Sequence, residues 1–371
     1  MYKSFMLIAI LFAITGYKNQ KRPEYKPLFF SMANEWQEIA QDKVIFEYTI
    51  KSSDSAYADP NIHNVRLLSN NKGQPRLFFS EIETTVCADG ECKLANINVY
   101  WNLLGNYVGY GIFPKLPLTK YDHVSFEKED YAKLHQLFLD DNSILKRRKI
   151  SDLVDTVSIS SSNTSLIHVD AISGATRTEI KESVVKGGLY SCYTLWHIVH
   201  GEAKDKMKEH VQSMHSDSLT AYFLYAPYED YQKYGLKQLP KKDFKHHTAQ
   251  IVNIFKTNDA LTRGYILKKI PDADLSIEKI ATQLYNTFPG VDSNARTLLL
   301  KKLENANSIA VEIVSQYLDY LTKNQLILYL TYLKENPGKH TKKVKRNLIR
   351  TSKNKRYAYS HLVKEYLKNR K

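Results

Sequence analysis

Long apolar runs and nucleotide loops are the features that this 371-residue chain lacks. Its apolar run at residues 5–14 spans ten positions, whereas a membrane-spanning helix needs about 20. Glycine is scarce, with 14 residues, which argues against a glycine-rich barrel or a chain of flexible linkers. The sequence shows no Walker or Rossmann loop, no nucleophile–base–acid set and no cluster of metal ligands. A kinase or a hydrolase is therefore not indicated.

The first sixteen residues predict a secretion signal peptide. Lys3 supplies the positive charge, the apolar run follows, and Ala13, Thr15 and Gly16 place small residues near a cleavage point. The same run is typical of a lipoprotein precursor, but Tyr17 stands where the lipid-bearing cysteine would be. We therefore expect an exported protein, periplasmic, in the outer envelope or secreted, without lipidation. The alternative is that the segment is kept as a short anchor.

Only three cysteines are present, and two of them flank a turn. Cys87 and Cys92 stand on either side of Asp89-Gly90, a dipeptide that favours a two-residue hairpin turn. In such a hairpin the two cysteines face each other in a non-hydrogen-bonded pair about 4.5 Å apart at Cα, which suits a disulfide. An exported protein permits that bond, either as a structural staple or as a redox-active pair. Cys192, among apolar neighbours, is expected to be a free thiol in the core.

The net charge of +14 is concentrated at one end. Residues 339–371 contain 13 Lys and Arg against one acid, Glu365, so this stretch carries +12 and the rest of the chain is near +2. Such a basic end is either a solvated helical face or a surface for an acidic protein or an anionic membrane. Nucleic acid is not expected as a partner of an exported protein.

Periodicity predicts an α+β chain in two main parts. Strand patterns occupy 77–79, 83–87, 92–101 and 107–113, and a helical pattern covers 127–138. The preceding region is mixed, with a short helix at 32–41, a strand at 44–50 and a polar loop at 52–64. Beyond Gly201 nearly everything is helical, in pairs spaced by roughly 30 residues. These patterns favour a small solenoid of the HEAT type or a plain helical bundle. The predicted divisions are a signal peptide at 1–16, a mixed segment at 17–75, a β-rich domain at 76–203 and a helical domain at 204–371.

One short motif carries chemistry: Asp170, two further residues, then Ser173-Gly174-Ala175-Thr176. It follows a serine-rich loop and an apolar run, and a helical pattern spans 178–199 directly after it. A small-residue turn before a helix leaves backbone N–H groups pointing at an anion, commonly a phosphate. The alternative is an ordinary helix cap, since Thr176 with Glu179 three residues later also fits a capping box.

The motif resembles the flavin attachment site of the FMN-binding domains, which occur in the C subunit of sodium-pumping NADH:quinone reductase and the G subunit of Rnf complexes. The resemblance implies that Thr176 is joined to the phosphate of FMN by a phosphoester bond made by a separate flavin transferase. It also implies that Asp170 is the acid of the motif and that Ser173, Gly174 and Ala175 form the turn. In that family a strand pair, a crossover and a short helix precede the motif, an order similar to the one predicted here.

Two functions follow as expectations. The first is an exported flavoprotein that relays electrons between envelope redox partners through FMN on Thr176, rather than an enzyme that turns over a substrate. The second is a non-catalytic envelope protein, with a degenerate flavin domain and a helical-repeat docking surface. If flavin is present, its ring is expected against one or more of four aromatic residues, with ordinary core packing as the alternative for each: Trp101, Tyr107, Tyr110 and Phe113.

Overall fold

The computed structural model describes residues 27–50, 61–86, 94–120, 123–149, 180 and 182–369. The chain folds into two units, Met1–Met214 and His215–Lys371. The first contains an antiparallel sheet and the second is helical, so the predicted α+β class is confirmed at this level. Within the described ranges, every helix is too short or too polar to cross a bilayer.

A six-stranded antiparallel sheet organises the first unit. Its strands are β1 (Phe29–Phe30), β2 (Gln41–Ile50), β3 (Asn61–Ser69), β4 (Pro75–Thr84), β5 (Ala95–Asn102) and β6 (Tyr107–Ile112), and they lie in the order β1-β6-β5-β4-β3-β2. Strands β4, β5 and β6 match predicted strands, whereas β1 and β3 were not predicted. The polar loop expected over 52–64 overlaps the start of β3 and is wrong there. Strands of the mixed segment 17–75 and of the predicted β-rich domain belong to this one sheet.

Helices cover both faces of this sheet, so β5 is buried along its whole length. Successive side chains of a strand point to opposite faces. Trp101 faces helix α3 (Leu189–His200), where its indole Nε1 donates to the carbonyl of Val199 at 2.8 Å. Its neighbour Tyr100 points the other way and meets Trp36 of helix α1 (Ala33–Glu38) edge-on at 5.2 Å between ring centroids. The helices of this unit are α1 (Ala33–Glu38), α2 (Lys128–Leu139), α3 (Leu189–His200) and α4 (Glu202–Ser213). Helix α4 crosses the predicted boundary at 203/204 and lies wholly within the first unit.

The second unit is built from short helices that end at polar or proline-containing turns. Its helices are α5 (Asp217–Tyr225), α6 (Glu229–Gln238), α7 (Thr248–Thr257), α8 (Ala260–Lys269), α9 (Asp272–Leu275), α10 (Glu278–Tyr285), α11 (Ser293–Lys301), α12 (Ser308–Ser315), α13 (Lys323–Glu335), α14 (Lys342–Ser352) and α15 (Ser360–Lys368). Side-chain caps fix several starts; Asp259, Asp292 and Thr322 each accept from the backbone three residues on. One continuous apolar core runs through the unit, from Leu224 to Val363.

Helices α7 to α15 form two rows, apart from the single-turn α9. In one row α7, α10, α12 and α14 contact each other in turn, and in the other α8, α11, α13 and α15 do so. The first residues of these helices are 248, 278, 308 and 342 in one row and 260, 293, 323 and 360 in the other. Each helix therefore packs on the one that begins 30 or more residues earlier.

Buried polar bonds connect neighbours within each row. Gln325 of α13 donates from Nε2 to the carbonyl of Ser293 in α11 at 2.8 Å. Asn347 of α14 donates from Nδ2 to the hydroxyl of Ser315 in α12, also at 2.8 Å. Both bonds span 32 residues of sequence. Because an unpaired buried amide is costly, these bonds favour one register of the rows.

Candidate functional site

The residues of the motif that resembles a flavin attachment site, Asp170, Ser173, Gly174, Ala175 and Thr176, lie outside the described residues, as do Cys87 and Cys92. The next described residue is Ile180, four positions after Thr176. Ile180 and Val184 are each 2 % exposed and Val185 is fully buried. The segment that follows the motif is thus packed into the core of the first unit.

The helix predicted across 178–199 is broken. Residues 182–188 form turns, and α3 begins at Leu189. Gly187 has φ of +76°, a left-handed conformation that favours glycine and typically ends a helix. The sequence predicted an unbroken helix because Val184 and Val185 continue the apolar spacing of a helix. In the structure these two residues are buried in the turn without being helical.

Cys192 is a free, buried cysteine, as predicted. Its Sγ accepts from the backbone N–H of Val185 at 3.4 Å, which ties α3 to the turn before it. Burial raises the pKa of the Cys192 thiol to about 12. The thiol is therefore protonated at neutral pH and unreactive.

Three of the four aromatic residues expected near a flavin ring lie in the core. Trp101 and Tyr110 are fully buried and Tyr107 is 8 % exposed. Tyr110 donates its hydroxyl to the carbonyl of Tyr131, and the hydroxyl of Tyr107 lies 2.8 Å from Nδ1 of His135. These contacts correspond to core packing, the alternative to lining a ring. The fourth residue, Phe113, is half-buried.

A polar cleft of about 320 Å³ opens in the first unit, at the end of α3. Helix α3 supplies three side chains, α4 supplies two lysines, and the segment after α2 supplies an acid and a third lysine. Two consecutive helices and one loop thus direct their polar groups into one space. The lining residues are Asp141, Lys146, Trp196, His197, His200, Lys204 and Lys208.

Backbone carbonyls hold the α3 side chains in place. Trp196 donates from Nε1 to the carbonyl of Asp140 at 3.0 Å. Nε2 of His200 lies 2.9 Å from the carbonyl of Phe138, and Nε2 of His197 lies 3.2 Å from that of Leu145. A carbonyl only accepts, so in each histidine Nε2 carries the proton and Nδ1 is the basic nitrogen.

The two α4 lysines stand one turn apart on the same helix face. The side chain of Lys204 is 18 % exposed, and its Nζ lies 3.9 Å from a carboxylate oxygen of Asp141. Its stem lies against the turn between β5 and β6, where a Cβ on Gly105 would stand 3.1 Å from Cγ of Lys204. Lys146 donates from Nζ to the backbone carbonyl of Asp141 at 3.0 Å. The ammonium groups of Lys204 and Lys146 are thus both directed to Asp141.

The cleft carries net positive charge at neutral pH. Burial lowers the pKa of His200 to about 4 and also lowers the pKa of His197, so both rings are neutral. Three lysines then face the single carboxylate of Asp141 among the lining groups. The pKa of Lys204 is lowered, mainly by burial and next by the positive charge of Lys208. A second positive charge close to Lys204 is what an anion in the cleft would offset.

Sequence reasoning did not identify this cleft. The spacing of Lys204 and Lys208 indicates a shared helix face, but Asp141 and Lys146 are more than 50 residues away along the chain. Among the described residues there is no group of three or more His, Cys, Asp or Glu arranged to hold a metal ion. Comparison of the chain with protein-family models, curated proteins and solved structures finds no match.

Proposed function

We propose that this chain is an exported flavoprotein that carries FMN on Thr176 and passes electrons between envelope redox partners. The observation that carries the proposal is the run Asp170, Ser173, Gly174, Ala175, Thr176. It is supported by the packing of Ile180, Val184 and Val185, which ties the segment just after the motif to the core of the sheet-containing unit.

Each motif residue has a stated part in this proposal. Thr176 supplies the hydroxyl oxygen of the phosphoester, Asp170 is the acid of the motif, and Ser173, Gly174 and Ala175 leave the backbone accessible to a phosphate. The bound group would supply the redox chemistry through its isoalloxazine ring. A covalent tether suits an exported protein because a dissociated cofactor would be lost.

Intact mass tests the proposal. Protein exported from a host that has the flavin transferase should exceed the cleaved polypeptide by one FMN less one water. Thr176→Ala should remove this excess, whereas the matched control Thr178→Ala should keep it. The denatured wild-type band should also show flavin fluorescence. A wild-type mass equal to the bare polypeptide in such a host would contradict the covalent attachment.

A second function, protein docking by the helical unit, is favoured by the two rows of helices. We propose that α7 to α15, without α9, form a HEAT-like solenoid, because each helix packs on the helix of its row that begins 30 or more residues earlier, and one polar bond in each row joins two such neighbours. In α14 one face is buried through Val344, Leu348 and Thr351, and the other is basic and exposed. An acidic envelope protein or an anionic membrane surface is the partner that this face fits.

Co-sedimentation of the full chain with anionic vesicles tests the docking proposal. Replacing four exposed basic residues of α14 by Gln should reduce the bound fraction: Lys342, Lys343, Lys345 and Arg346. Wild-type binding should weaken from 0.1 M to 1 M salt, as the Debye length falls from about 10 Å to about 3 Å. The same assay with envelope extract examines acidic protein partners. Binding that ignores both salt and the substitutions would remove this role for the basic face.

A further inference from the structure

We infer that the cleft at the end of α3 binds the phosphate group of a small anion, independently of any flavin on Thr176. The cleft is a half-open polar recess of about 320 Å³ rather than a flat patch, so it has room for a phosphorylated small molecule. Its positive groups come from separate segments, the loop after α2 and helix α4, with helix α3 between them.

Charge indicates the class of ligand. With both histidines neutral, three lysines and one carboxylate leave the lining groups at +2. A phosphate monoester carries about −1.5 to −2 at pH 7, so one such group nearly neutralises the site. Among the lining residues that the structure describes, the charged donors are ammonium groups and not guanidinium groups. Lysine acts on phosphate as a point charge and does not require the planar, two-point geometry that arginine offers a carboxylate.

The geometry prepares Lys204 for this role. Its stem packs beside Gly105, so the aliphatic part is held while the ammonium group reaches the cleft. Among the described residues, the carboxylate that forms an ion pair with Lys204 is that of Asp141, at 3.9 Å, and the Asp141 side chain is 67 % exposed. Lys208 pairs with Asp205 at 3.1 Å, but both of these side chains are largely in solvent. Exposed pairs of this kind stabilise little, so a phosphate can compete for both ammonium groups.

The experiment is calorimetric titration of the full chain, made without the flavin transferase, with inorganic phosphate and with pyrophosphate at low ionic strength. One phosphate or pyrophosphate should bind per chain. Lys204→Gln should weaken binding about tenfold, the effect expected for losing one charged hydrogen bond. Lys206→Gln is the matched control, because Lys206 lies on the same helix, pairs with Glu202 and does not line the cleft. It should bind as wild type does.

Lys208→Gln provides a second test in case Lys204→Gln does not fold, since Lys208 is half-exposed and its loss removes only a surface pair. Vesicles of phosphatidylcholine with and without phosphatidic acid distinguish a lipid headgroup from a free phosphate. Binding of either source that is lost with Lys208→Gln and kept with Lys206→Gln supports the site and names the source. If neither source binds, or if Lys206→Gln weakens binding as much as Lys208→Gln, the inference is overturned.

Discussion

Replacing Trp101 by Phe should destabilise the first unit by about 2–4 kcal/mol. Trp101 is fully buried between β5 and α3, and its Nε1 donates to the carbonyl of Val199 at 2.8 Å. Helix α3 ends at His200, so this carbonyl is one of the last four, which have no donor within the helix. The indole therefore satisfies a buried acceptor that nothing in the helix can satisfy.

Two losses make up the expected magnitude. A buried carbonyl left without its donor costs about 1–3 kcal/mol. The smaller phenyl ring leaves a void of roughly 40 Å³, which adds about 1 kcal/mol at ~24 cal/mol per Å³. Neither loss is offset by solvent, because Val199 is also buried.

Urea unfolding, monitored by circular dichroism, measures the free energy of unfolding of each variant. The slope of this free energy against urea concentration should be the same in all variants, which confirms that unfolding exposes the same surface. Trp36→Phe is the control, since Trp36 is only half-buried and meets Phe30 and Tyr100 by ring edges. It should cost less than about 1.5 kcal/mol. The reasoning is refuted if Trp101→Phe costs no more than Trp36→Phe.

Three further predictions concern single sites. Burial lowers the pKa of His200 to about 4, so between pH 6.5 and 4 the unfolded chain binds more protons and the free energy of unfolding decreases as the pH is lowered. Melting curves at pH 7 and 4.5 measure this loss of stability. In His200→Gln the loss at pH 4.5 should be smaller than in wild type by about 1–2 kcal/mol, after allowance for solvent screening. Gly105→Ala places a Cβ on a residue with φ of +72°, 3.1 Å from Lys204. The substitution should destabilise the protein by about 1–2 kcal/mol in the same melting assay and weaken phosphate binding. Unchanged stability and unchanged phosphate binding would contradict this. Non-reducing peptide mapping of exported protein should find Cys87 bridged to Cys92, and a bridge to any other cysteine would refute the hairpin.

The disulfide prediction gains support from strand register. Each described pair of β4 and β5, from Leu77 with Asn102 to Thr84 with Ala95, is equidistant from the Asp89-Gly90 centre. This is the register that a two-residue turn at that dipeptide requires. The prediction itself concerns residues outside the described ranges.

Strands were predicted where apolar residues are dense, as in β5 and β6, and the start of β3 was missed because polar residues interrupt its apolar pattern. Of the polar residues of β3, His63 and Asn64 were assigned to the loop over 52–64, and Arg66 lies just beyond that loop. Its partners explain the difference, because Arg66 pairs with Asp42 at 2.8 Å across the sheet. Local propensity cannot anticipate a partner 24 residues away.

The sequence by itself determined the short-range features of this protein. The helical spacing of the second unit, the basic end, the flavin-like motif and the Asp-Gly dipeptide all depend on residues within a few positions of each other. Tertiary structure alone decided the rest. It placed Trp101 and Tyr110 in the core, broke the helix before Leu189, arranged α7 to α15, without α9, in two rows, and brought Asp141 to Lys204. These outcomes depend on the burial and pairing of side chains far apart along the chain, which the local pattern of apolar and polar residues does not specify.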